Sequence, residues 1–130
     1  MIDFQRLTPR ARPNTYLVCT PELCPRAGAQ QESPVFETPA EAVRDAWFEM
    51  IADEPRVRQT EADDASLQYE FVQRTAFLRF PDTITVRFVA LDDASSTVIV
   101  YSRSRYGYSD MGFNRRRVRD WLDKLEARLG

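Results

Sequence analysis

Residues 97–129 read TVIVYSRSRYGYSDMGFNRRRVRDWLDKLEARL, and this stretch decides the fold. Thr97 to Ser104 is an extended run in which Tyr101, Arg103 and Arg105 share one face while Ser102 and Ser104 share the other. Gly107 and Gly112 then punctuate a connection, since glycine admits positive φ and close backbone approach. Beyond them Val118, Trp121, Leu122, Leu125 and Leu129 fall on one helical stripe, with Arg115, Arg116, Arg119, Asp120, Asp123 and Glu126 opposite. Asn114 stands where a helix N-cap is wanted. The pattern predicts a strand, a glycine turn and a C-terminal helix.

Working back towards the N-terminus, Ile84, Val86, Phe88 and Ala90 alternate against Thr85 and Arg87, as in a half-buried strand. Asp92 to Ser96 is a hairpin loop, so the last two strands are expected to be antiparallel. Leu67, Tyr69 and Phe71 alternate as well, with the extended pattern running on to Phe80 before Pro81-Asp82 breaks it. Val57 to Thr60 reads as a further short strand, followed by an acidic turn over 61–65. Before Pro55, Val43, Trp47, Met50 and Ile51 recur at helical spacing. Thr38 and Glu41 have capping-box spacing, and Pro39 falls at the first helical position. Residues 1–37 are rich in proline, arginine and glutamine; only Tyr16-Leu17-Val18 resembles a strand, and the segment reads as an irregular arm. The expected fold is α+β: one domain over 38–130, an antiparallel meander of about four strands, with one helix before it and the C-terminal helix packed on one face.

Composition narrows the chemistry. The 130 residues suit one domain, and 43% hydrophobic residues suffice for a core. A formal charge of −2 gives no overall field for nucleic acid, and no nucleic-acid partner is expected. There is no histidine, so a histidine-activated nucleophile and a histidine-ligated zinc site are both excluded. Cys19 and Cys24 cannot complete a four-sulfur site. They read as structural thiols, bonded in an oxidising compartment or free in the cytosol. Asp53-Glu54, Asp63-Asp64 and Asp92-Asp93 are adjacent carboxylates at element ends, where solvation explains them. No metal, cofactor or catalytic residue is expected. No apolar run approaches the roughly 20 residues that cross a bilayer, and the start lacks the apolar stretch of a signal peptide. The sequence as written reads as soluble and cytoplasmic, or as periplasmic or membrane-associated if it is a trimmed form.

The arginine-rich turn is the one place where a site is expected. Asp110 is the only acid between Asp93 and Asp120, so several arginines compete for it. One reading is an internal lock in which Asp110 takes a bidentate bond from Arg103 or Arg105. The other is a ligand site, in which Arg103, Arg105, Ser109, Asp110, Asn114 and Arg117 hold a small polar or anionic molecule at the helix start. Trp47, Tyr69, Phe71, Phe77 and Phe88 either line a cavity or form core. A third reading is a protein-docking or envelope-associated module, which an exposed apolar patch on the N-terminal arm or along Met111 to Phe113 would favour, and an enzyme of unknown class is the remaining alternative.

Ser102-Arg103-Ser104-Arg105, Gly107-Tyr108-Ser109-Asp110-Met111-Gly112 and Asn114-Arg115-Arg116-Arg117-Val118 together resemble the signature of the family called domain of unknown function 1499. Pro55-Arg56 and Phe80-Pro81-Asp82 match it more loosely, and the resemblance covers residues 34 to 129. It implies no activity. Many members of that family resemble secreted or membrane-anchored proteins, where a bonded Cys19/Cys24 pair would be at home.

Overall fold

The computed structural model describes residues 1–10 and 12–130. Nine elements follow one another: β1 (Thr15–Cys19), β2 (Gln31–Glu32), β3 (Val35–Phe36), α1 (Ala40–Ala52), β4 (Val57–Asp63), β5 (Gln68–Arg74), β6 (Pro81–Ala90), β7 (Ser96–Ser104) and α2 (Phe113–Leu129). The strands form one seven-stranded sheet in the order β2-β1-β7-β6-β5-β4, with β3 also on β7. All pairings are antiparallel except β1 with β2. The α+β class and the two flanking helices are as the sequence predicts. The expected four-strand meander is β4 to β7, and residues 15–36 add three more strands to the same sheet.

Alternation along the strands produces two apolar layers. Tyr16, Val18, Tyr69, Phe71, Ile84, Val86, Phe88, Val98 and Val100 face the helices and meet Val43, Trp47 and Met50 of α1 and Val118, Trp121, Leu122 and Leu125 of α2. Trp47 is the hub: its ring lies 6.2 Å from Phe71, 6.0 Å from Phe88 and 5.8 Å from Trp121. Edge-on and tilted contacts of this kind bring the positive ring rim to a neighbour's negative face. On the opposite face Leu17, Cys19, Ile99 and Tyr101 are covered by Phe4 and Cys24, with Ile2, Leu7 and Leu23 beside them. Cys19 and Cys24 are joined by a disulfide inside this second layer.

Several local expectations change. Pro39 is the N-cap of α1, and no side chain caps that helix, so the Thr38/Glu41 box does not close. Instead the Ala42 and Val43 amides donate to the Pro39 carbonyl at 3.0 and 3.1 Å. The extended run ends at Arg74 rather than Phe80: residues 76–78 form a turn, Arg79 takes a left-handed φ of 59°, and Pro81-Asp82 opens β6 instead of breaking a strand. Phe77 is therefore no core residue: it is 95% exposed. The N-cap of α2 is Gly112, at φ 81°, and not Asn114.

Candidate functional site

The expected site residues separate onto the two faces of β7, as their alternation requires. On the helix face Ser102 and Ser104 look towards α2, whose first turns bring in Asn114 and Arg117. Arg117 is buried and makes a bond from each of its nitrogens. Nε donates to Gln73 Oε1 at 2.6 Å, Nη1 to Asn114 Oδ1 at 2.7 Å and Ser102 Oγ at 3.0 Å, and Nη2 to Asp82 Oδ2 at 2.6 Å. Burial pulls its pKa below the usual guanidinium value, and the hydrogen bond and charge of Asp82 oppose that. Asn114 is also consumed internally. Its amide nitrogen lies within hydrogen-bond reach of Asp110 Oδ2, Ser104 Oγ and the Asn14 carbonyl, and its oxygen accepts from Ser102 and Arg117.

Asp110, two residues before the Gly112 N-cap, accepts the amides at the helix start, the role that the sequence assigned to Asn114. Its Oδ1 accepts the Gly112 amide and its Oδ2 the Asn114 amide, both at 2.9 Å. A carboxylate at this position offsets both the orphan amides and the positive end of the helix. The lock therefore exists with other partners: Asp110 pairs with neither Arg103 nor Arg105, and the buried ion pair is Arg117 with Asp82. Ser109 is exposed and accepts the Met111 amide at 3.3 Å.

Strand parity was the signal for the missed members. Gln73 continues the inward series Tyr69, Phe71, and Asp82 precedes the inward series Ile84, Val86, Phe88, so both polar chains are directed into the core. They are paired across β5 and β6. A buried carboxylate there needs a cation, and Arg117, next to Val118 and one turn before Trp121, is on the helix face that supplies it.

Arg103 goes to the outer face. Its Nη2 lies 3.4 Å from Glu70 Oε1, its Nη1 donates to Thr85 Oγ1 and the Tyr101 carbonyl, and its Cζ is 4.7 Å above the Tyr101 ring. Burial lowers its pKa first of all. Tyr101 and Glu70 raise it, and the nearby charges of Arg10 and Arg105 lower it again. Around it is a groove of about 400 Å³ bounded by Arg10, Arg58, Arg74, Arg103 and Arg105, with Glu70 as its one acid. Arg105 is exposed, and its side chain makes no hydrogen bond or ion pair among the described residues. A wider concavity of about 920 Å³ opens between the N-terminal segment and α2, where Arg10, Arg12, Arg115 and Arg119 face Asp110. Among the described residues no group of three His, Cys, Asp or Glu side chains can hold a metal, and no helix is long and apolar enough to cross a membrane.

These elements define a small α+β domain built on one sheet, with a buried arginine–aspartate frame on the helix side and arginines on the other. The chain belongs to the family described as Protein of unknown function (DUF1499), whose profile matches residues 10–125. That match takes in β1, so residues 15–36 fall within the family's extent as well as within the sheet. No curated protein matches the chain. A solved structure, the di-domain ARO/CYC BexL from the BE-7585A biosynthetic pathway, is similar over 75% of this chain at 16% identity and a TM-score of 0.49. The match takes up 42% of that protein, under half of its length.

Proposed function

We propose that the chain is a non-catalytic binding module for a small anionic ligand, and that the ligand seats in the outer-face groove against Arg103 and Arg105. The observation that carries this is the charge count of the groove: five arginines surround it and a single carboxylate, Glu70, answers them. Arg103 is crowded by Arg10 and Arg105 while partly withdrawn from water. An anion entering there relieves that crowding and takes charge-assisted, bidentate bonds from planar donors. The wider concavity is a weaker candidate, because all four of its arginines are exposed, where water and salt screen them, whereas the groove also holds the half-buried Arg103. Of the six residues read from sequence as ligand groups, Arg103 and Arg105 keep that role. Asp110, Asn114 and Arg117 form the frame that holds β7 against α2, and Ser109 stays at the turn.

The test is a thermal-shift titration of the purified chain with phosphate, sulfate, citrate and nucleotides. A ligand of the native state raises the midpoint by mass action, by about 2.7 kcal/mol of stability at a hundredfold excess over Kd. Arg105→Gln, at an exposed position, is expected to keep the unliganded midpoint and to weaken binding at least tenfold. Arg58→Gln should behave in the same way. An equal shift in the wild type and both variants would remove the groove from consideration.

A further inference from the structure

One end of the sheet exposes large apolar side chains in a group. The turn between β5 and β6 and the connection between β7 and α2 meet there: the Phe80 and Tyr106 rings lie 5.8 Å apart, and the Arg105 amide donates to the Pro81 carbonyl at 3.4 Å. Phe77 is 95% exposed and Met111 82%, and Leu78, Tyr106 and Tyr108 each expose more than half of their surface. Scattered exposed hydrophobes are ordinary, but a group on two adjoining turns marks a contact surface.

The charge around this group is of one sign. Residues 74–81 and 105–117 contain six arginines and one acid. Arg117 is neutralised by Asp82, and Asp110 is occupied by backbone amides. Arg74, Arg79, Arg105, Arg115 and Arg116 remain, all exposed, and none is in an ion pair among the described residues. The whole chain carries −2, so this end is opposite in sign to the molecule.

We infer that this tip docks on an anionic lipid surface. Phe77, Leu78 and Met111 enter the acyl boundary, Tyr106 and Tyr108 keep their hydroxyls at headgroup level, and the arginines reach lipid phosphates while their stems lie along apolar surface. Apolar insertion and attraction to anionic lipid then add to one binding free energy. Charge complementarity favours lipid over a protein partner: five unpaired arginines spread over two turns match a continuous negative field without needing individual acceptors. The tip shares Arg74 and Arg105 with the groove, whereas Phe77, Leu78, Arg79, Met111 and Arg116 belong to the tip alone and carry its test.

Co-sedimentation of the full chain with vesicles tests it. The expected result is binding to vesicles of equal parts phosphatidylglycerol and phosphatidylcholine, weak binding to phosphatidylcholine alone, and release by high salt. Phe77→Ser combined with Leu78→Ser should lower partitioning about tenfold or more, from the loss of inserted apolar surface. Arg79→Gln and Arg116→Gln should each lower it about fivefold. Circular dichroism of the variants should be unchanged, since all four side chains are exposed, and Arg128→Gln, exposed at the far end of α2, should bind vesicles as the wild type does. Failure of the wild type to bind anionic vesicles overturns the proposal, as does unaltered binding by the Phe77/Leu78 variant. Self-association abolished by that double change, without vesicle binding, would make the tip a protein contact instead.

Discussion

At the scale of the residue, Arg117 matters most, because its charge is held where water cannot reach it. Replacing it by glutamine leaves Asp82 buried without its cation, and breaking such a pair costs about 3–5 kcal/mol. In a domain of this size that lowers the melting temperature by roughly 10–20 °C. Differential scanning calorimetry of Arg117→Gln checks this, and a drop no larger than that of Arg115→Gln would show that the pair contributes little. The sequence displayed this residue without disclosing its partner. Arg115, Arg116 and Arg117 are chemically alike in the string, and only helical phase separates the buried one from its exposed neighbours. Asn114 misled for a related reason: it stands two residues inside the helix from Gly112, its phase turns the side chain inward, and Asp110 accepts its amide.

At the scale of the element, the strands and helices with long periodic patterns were legible and the short ones were not. β6, β7 and α2 each carry at least nine residues of consistent alternation or phase. β2 and β3 have two residues each, too few to show any period, and exist because β1 and β7 offer them edges. What holds the N-terminal segment is tertiary. The Phe4 side chain is buried against the outer layer, Gln68 Nε2 donates to the Ile2 carbonyl at 2.8 Å, and the Cys19–Cys24 bond pins the chain as it leaves β1. Closing so short a loop stabilises by about 2 kcal/mol through the unfolded chain. Cys19→Ala with Cys24→Ala should therefore shift the urea midpoint downward while leaving the m-value close to that of the wild type. An unchanged midpoint would mean that the bond is dispensable to the fold.

For the whole molecule, the important fact is that two apolar layers share one sheet. Leu17 and Cys19 of β1 serve the outer layer while Tyr16 and Val18 serve the inner, and Ile99 and Tyr101 of β7 alternate with Val98 and Val100 in the same way. Neither layer can loosen without disturbing strands that carry the other, so unfolding should be a single transition. Both tryptophans report the helix side. Their fluorescence and far-ultraviolet circular dichroism should fall together in urea, even in Phe4→Ala, which weakens only the outer layer by about 3 kcal/mol. Separate transitions would define residues 1–37 as a unit of their own.

The alternation of β7 also bears on how the chain avoids errors while it folds. A slip of one residue against β6 would turn Arg103 inward to where a serine now meets Asn114 and Arg117, and carry Ser102 and Ser104 away from them. The same slip would leave the buried Arg117 without the Ser102 hydroxyl that accepts from its Nη1. Mispaired intermediates of odd offset are thus penalised on both sides of the sheet at once, and the strand works as its own proofreader: the side chains that give it two faces reject every register that exchanges them.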